Sequence, residues 1–257
     1  MSKTRVLMLR APGTNCDAET AFAFEEVGAI VSPVHIGKLI RWEKRLSDYQ
    51  IVVLPGGFTY GDDIAAGRVL ANELKLKLGD DIMGFVEKGG LILGICNGLQ
   101  VLVKAGVLPG FQKDELPPLT LWTNDSGRFE CRWVHLVVNK TSPCVFTRGI
   151  DRMYLPVAHG EGKVVTMPDS LPGLHAVLYY TDEQGRRDAA YPDNPNGSAG
   201  SIAGICDASG RIFALMPHPE RYIRATQHPK WTRGGVNDRH GDGLQIFRNA
   251  VDWAGKL

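Results

Sequence analysis

The stretch from Leu91 to Gln100, Leu-Ile-Leu-Gly-Ile-Cys-Asn-Gly-Leu-Gln, constrains the fold of this chain more than any other. An apolar run stops at Cys96, which lies between Gly94 and Gly98. That is the pattern of a nucleophile elbow, in which a buried strand turns sharply into a helix and leaves the central side chain at the C-terminal edge of the sheet. A cysteine in an apolar strand is ordinarily inert core. Glycines on both sides argue otherwise, because a bulky side chain at either would crowd the turn, whereas a core cysteine needs no such clearance. A free thiol is only about 3% ionised at pH 7. A nucleophile here therefore needs the amides of the following helix and a histidine base.

An elbow requires parallel strands beside it, and the chain supplies them. Arg5 to Leu9 is a short apolar run followed by the Pro12-Gly13 turn. Asn15 or Asp17 can then cap a helix carrying Ala18, Ala21, Phe22 and Val27, closed by Gly28. Ile30 to His35 and Ile51 to Leu54 are the next strands, the latter closed by Pro55-Gly56-Gly57. Helical spacing runs from Ile64 to Leu78 and, as a second helix, from Ile82 to Lys88; a third follows the elbow through Leu99, Leu102 and Val103 and stops at Gly106. Strands alternating with helices predict a doubly wound, mainly parallel sheet flanked by helices, an α/β fold.

After Pro109 the pattern changes. Val134 to Val138, Cys144 to Thr147, Val164 to Met167 and Ala176 to Tyr180 are short and β-rich, predicting antiparallel β additions in the C-terminal half. Asp182 to Ser201 is crowded with Gly, Pro, Asn and Asp and reads as a long structured loop. Ile202 to Cys206 and Ile212 to Met216, joined by Asp-Ala-Ser-Gly, form a predicted hairpin. Leu244 to Trp253 is a closing helix with Leu244, Phe247 and Val251 on one face. We expect one domain over residues 1–257, with a polar, Gly-rich extension at 227–243.

Charge narrows the partners. Lys and Arg number 29 against 28 Asp and Glu, a net charge of +1, so no global field attracts nucleic acid or an anionic membrane. A small polar substrate or a protein fits better. The five cysteines are scattered, odd in number and without a C-x-x-C pair, which points to reduced thiols. With no secretory h-region and no apolar stretch near the roughly 20 residues of a membrane span, the expected location is cytoplasmic.

His218 stands between two prolines at the end of an apolar strand, and Glu220 follows two residues on. On extended backbone, residues two apart point to the same side, so the Glu220 carboxylate can fix the His218 tautomer. Pro55-Gly56-Gly57-Phe58-Thr59-Tyr60-Gly61-Asp62 follows a predicted parallel strand, and its amides can face the crevice as oxyanion donors. Neither GxGxxG nor GxxxxGK[ST] is present, which argues against a nucleotide site of either type.

Cys96, His218 and Glu220 in this order, joined to Pro55-Gly56-Gly57, resemble the class I, triad-type glutamine amidotransferases. Seven blocks narrow the resemblance: Pro12 to Asp17, Gly56 to Asp62, Gly94 to Gln100, Arg128-Phe129-Glu130, Ala158 to Gly162, Asn194 to Ser198 and Met216 to Arg221. Together they resemble the glutaminase components of phosphoribosylformylglycinamidine synthases. The resemblance implies that Cys96 attacks the side-chain amide of glutamine, that His218 moves the protons and that Glu220 holds the imidazole. It implies an oxyanion hole at the amides of Gly57 and Asn97, and glutamine contacts from Gly56, Phe58, Gln100, His159 and Gly160. It implies no metal or cofactor on this chain. ATP and magnesium would act on a large synthetase partner, with a small accessory subunit completing the complex. Asp63 to Gly67 departs from the more aromatic or basic continuation expected after Gly61-Asp62, and Trp231 to Gly243 extends the compact form.

Two other readings share these residues: a stand-alone cysteine hydrolase of γ-glutamyl compounds, and a non-catalytic subunit that organises a synthetase. Against the first, Asn97 stands where related hydrolase-like folds often place a histidine, and His218 precedes its acid, unlike the α/β-hydrolase order. Against the second stands the intact Cys, His and Glu set.

Overall fold

The computed structural model describes residues 3–110, 118–167, 171, 173–187, 190–233 and 240–256. The first half alternates as expected: β1 (Arg5–Arg10), α1 (Asp17–Glu26), β2 (Ile30–His35), α2 (Ile36–Ile40), β3 (Ile51–Leu54), α3 (Arg68–Glu87), β4 (Leu91–Ile95) and α4 (Asn97–Lys104). The second half adds β5 (Leu119–Thr123), β6 (Glu130–Val138), β7 (Arg152–His159), β8 (Glu161–Thr166), β9 (Ala176–Thr181), β10 (Ile202–Cys206), β11 (Ile212–Leu215) and α5 (Leu244–Ala254).

Nine strands form one sheet in the order β2-β1-β3-β4-β11-β10-β9-β6-β7, while β5 and β8 pair separately. The neighbours from β2 to β11 run parallel, and the remaining pairs are antiparallel. Every residue of β3, β4 and β11 is buried, as a parallel strand covered on both faces requires. Two helix groups supply the cover. On α1 and α5, Phe24 and Phe247 meet edge to face at 5.0 Å, and α3 packs on α4 and α2.

Register then decides where loops emerge. Leu54 pairs with Gly94 and Ile95 with Leu215, so the turns after β3, β4 and β11 leave one edge of the sheet at one level. The turn after β1 joins them through Cys16, whose N–H donates to Gly56 O at 3.2 Å. This is the C-terminal edge where open α/β sheets hold their sites.

Several expectations are revised. The two helices predicted on either side of Gly79 are one helix, because Leu70, Leu74, Leu78, Ile82 and Phe85 continue a single buried stripe. It begins at Arg68 rather than Ile64, since Tyr60, Asp62 and Ile64 hold left-handed backbone (φ 56°, 53° and 71°). Cys144 to Thr147 is a buried turn instead of a strand; its apolar side chains serve packing, not pairing. Neither Asn15 nor Asp17 caps α1. Cys16 is the N-cap, Asp17 pairs with Arg10 at 2.8 Å, and the Asn15 side chain accepts from the Cys16 thiol. Strands β5 and β7 lacked a clear sequence signal. Of the extension, residues 234–239 lie outside the described set; Trp231–Arg233 is a 3-10 turn and His240 bridges to Arg224. No helix among the described residues is long and apolar enough to cross a membrane.

Candidate active site

Cys96 occupies the elbow at φ 50° and ψ −102°, a strained conformation for a non-glycine residue. Its neighbours show why the turn holds. A Cβ at Gly98 would stand 2.1 Å from Leu54 O, and one at Gly94 2.7 Å from Leu102 Cδ1, so both positions exclude any side chain. The Cys96 N–H donates to Leu215 O at 2.8 Å, tying the elbow to the strand that leads into His218. The Cys96 sulfur approaches Ala158 O at 3.6 Å.

His218 and Glu220 meet as the spacing predicts: Nδ1 and Oε1 are 2.6 Å apart, and both side chains are almost wholly buried. The His218 N–H donates to Pro156 O at 2.8 Å, which anchors the turn on β7. Burial works against a charge on the ring. The Glu220 carboxylate, Cys96 and polar contact with the sulfurs of Cys16 and Cys96 outweigh it and lift the imidazolium pKa well above its ordinary value. Glu220 thus fixes the Nδ1–H tautomer and leaves Nε2, buried and without another N or O partner, for proton transfer.

Asn97 ties the elbow to the Gly56–Gly67 loop. Its Oδ1 accepts from the N–H and hydroxyl of Thr59 (3.3 and 2.7 Å), and its Nδ2 donates to Asp62 Oδ1 (3.1 Å) and Gln100 Oε1 (2.8 Å). Asp62 also accepts from Gly67 N–H at 3.1 Å. Burial raises the Asp62 pKa despite these bonds. Gln100 is buried and donates to Glu161 O; Glu161 in turn pairs with Lys104. Gly56 lies against the site, since a Cβ there would stand 2.9 Å from His218 Cε1. Gly57 (φ 145°) packs against Gly13 and Asn15. Phe58 is half exposed at the rim, 6.5 Å from Phe129, and Gly160 adjoins the same Phe129 ring.

His159 is buried. Its Nδ1 donates to Asn124 Oδ1 at 3.0 Å, an assignment that follows because the Asn124 amide nitrogen donates to the carbonyls of His159 and Arg128. Burial, with repulsion from His218, pushes its pKa down to about 4, so the ring is neutral near pH 7 with Nε2 as a buried acceptor.

Sequence reasoning missed three participants. Asn124, which orients His159, carried no signal, being an isolated residue from another strand end. Cys16 and Arg221 stood in recognised blocks without a role. In the structure the Arg221 Nη2 donates to Cys16 Sγ at 3.2 Å and its Nε to Glu19 Oε1 at 2.8 Å. Cys16, His218 and Glu220 present ligand atoms within 4.8 Å of one another. That set suits a cation poorly, because a guanidinium rests on the sulfur and Glu220 takes Nδ1 of the histidine.

The arrangement can form and hydrolyse a thioester: a thiol at a helix N-terminus, a charge-stabilised imidazole and glycine-lined backbone meet on one sheet edge. The chain belongs to the family of CobB/CobQ-like glutamine amidotransferase domains, whose model matches residues 3–254. Among its relatives, the phosphoribosylformylglycinamidine synthase subunit PurQ of Dehalococcoides mccartyi is 59% identical over 99% of both chains. The PurQ of Methanococcus maripaludis is 43% identical over 98% of both. A chain of the PurLQS structure from Thermotoga maritima matches with a TM-score of 0.74 and 34% identity, over 98% of this chain and 99% of that one.

Proposed function

We propose that this chain is the glutaminase subunit of a phosphoribosylformylglycinamidine synthase, hydrolysing L-glutamine to glutamate and ammonia for purine biosynthesis. The observation that carries the reading is the Cys96–His218–Glu220 set, built on adjacent parallel strands in the order and geometry thioester chemistry needs. The names of the relatives support the pathway.

In this reading His218 Nε2 takes the Cys96 proton, and the thiolate attacks the side-chain amide carbon of glutamine. The amides of Gly57 and Asn97 receive the oxyanion, and one such donor is worth about 2.7 to 4 kcal/mol to the step. The imidazolium then protonates the amide nitrogen, the C–N bond breaks, and ammonia leaves a γ-glutamyl thioester. Water attacks next, with His218 as base; the C–S bond breaks, glutamate departs and the thiol is restored. Glu220 holds and stabilises the imidazolium throughout. Gly56, Phe58, Gln100, His159 and Gly160 surround the glutamine. His159, neutral with a buried and unpartnered Nε2 acceptor, is suited to accept from the substrate ammonium.

Ammonia passes to the large synthetase, which converts formylglycinamide ribonucleotide to formylglycinamidine ribonucleotide. ATP and magnesium enter with that partner, and a small accessory subunit completes the assembly; the name of the PurLQS neighbour supports a complex of this kind. Five cysteines kept as thiols support a reducing, cytoplasmic setting. The test is glutamate release from glutamine, with and without the synthetase. Release that is stimulated by the partner and abolished in Cys96→Ala is expected; release that persists in Cys96→Ala overturns the mechanism.

A further inference from the structure

Beside the proposed catalytic set lies a buried thiol that the mechanism does not use. Cys16 is the N-cap of α1, and its backbone is pinned on both sides: its N–H donates to Gly56 O at 3.2 Å, and the Thr20 hydroxyl donates to its carbonyl at 2.6 Å. A Cβ at Gly56 would meet Cys16 Sγ at 3.1 Å and His218 Cε1 at 2.9 Å, so sulfur and ring pack on the same backbone. The thiol donates to Asn15 Oδ1 at 3.2 Å, leaving its lone pairs toward Arg221 Nη2. Burial raises the Cys16 pKa, and the sulfur stays neutral.

We propose that Cys16 is a positioning residue: with Glu19 it holds the Arg221 guanidinium in a clasp and so keeps that cation off the Glu220 carboxylate that orients His218. The argument rests on reading Cys96, His218 and Glu220 as the catalytic set. Glu220 Oε2 is buried without a hydrogen-bond partner, and Arg221 is the next residue in the chain. An unpaired carboxylate oxygen and an adjacent guanidinium would ordinarily form a bidentate pair. Here the guanidinium is hydrogen-bonded elsewhere, its Nε to Glu19 and its Nη2 to the sulfur, and it acts on Glu220 only through the charge attraction between them. The consequence reaches the base. The groups facing His218 are Glu220 on its own turn, Cys96 at the elbow, Cys16 from α1 and His159 from the end of β7. Glu220 supplies the main stabilisation of the imidazolium, so pairing it with Arg221 would withdraw that support.

The experiment compares the parent, Cys16→Ala, Cys16→Ser and the double variant Cys16→Ala with Arg221→Gln. The readouts are the pH profile of glutamine hydrolysis in the synthetase complex and the titration of the His218 ring by 15N NMR in the full chain. In Cys16→Ala, Arg221 is freed, the His218 imidazolium titrates about one pH unit lower, and kcat falls about tenfold with KM little changed. Cys16→Ser retains an acceptor and titrates close to the parent. The double variant, lacking the cation, returns the titration toward the parent value. An unmoved titration in Cys16→Ala overturns the proposal, as does a double variant that stays shifted, which would assign the shift to the lost contact of the Cys16 sulfur with His218 and not to Arg221. Should the parent show no Cys96-dependent turnover, the catalytic reading fails, while the NMR titration still decides whether Cys16 governs the His218–Glu220 pair.

Discussion

At the residue scale, the chemistry depends on charges held where water does not reach. His218 and Glu220 are both buried, and each makes the other's charge tolerable. Glu220→Gln removes the carboxylate and keeps the shape; glutamine turnover should fall by about 10^2 to 10^4, with the imidazolium titrating lower, read from the pH dependence of kcat. His159 makes the opposite statement about pH. Its folded pKa of about 4 lies below the ordinary 6.5, so the unfolded chain takes up a proton that the folded one refuses. Stability from this group is complete above about pH 6.5 and is lost as pH falls toward 4, by at most about 3 kcal/mol. His218, raised in the folded state, contributes below its ordinary pKa and loses that contribution as pH rises through its folded value. Urea unfolding from pH 4 to 7 should therefore show a steeper acid decline in the parent than in His159→Gln.

At the element scale, the elbow is a fit between backbones. Gly98 lies so close to β3 that a methyl group has no place, with Leu54 O at 2.1 Å from its would-be Cβ. Gly98→Ala must push α4 off the sheet, and we expect a loss of about 3 kcal/mol or more together with glutaminase activity. A thermal-melt series with Gly79→Ala as control checks this. Gly79 lies within α3 with open space around it, so alanine there should be neutral or slightly stabilising. The contrast also explains α3. Neither Gly79 nor the following Asp80-Asp81 ends the helix, because the buried stripe from Leu70 to Val86 continues past them and packing outweighs local propensity.

At the scale of the whole molecule, the site is assembled from distant parts of the sequence on one sheet edge. The last helix matters to that assembly although it carries no proposed catalytic group. Phe247 is fully buried against Phe24 of α1, the helix whose N-cap is Cys16. Phe247→Ala should cost about 3 to 5 kcal/mol, measured by the denaturation midpoint.

The parallel half was legible in the sequence because buried strands are short apolar runs and their turns are marked by Pro and Gly; β3 and β4 lie where those runs stand. The elbow and the His218–Glu220 pair were legible for the same local reason, since each is specified by residues one or two apart. Strands β5 and β7 were not, because their pairing partners β8 and β6 lie elsewhere in the chain and pairing rather than composition makes them strands. Nor could spacing reveal Asn124 behind His159, or the Arg221 guanidinium resting on Cys16 across 205 positions. Sequence alone determined which groups could react and which turns could present them. Only the tertiary structure decided which of those groups share an electrostatic environment, because pKa values and orphaned lone pairs depend on burial and on neighbours that the order of residues does not contain.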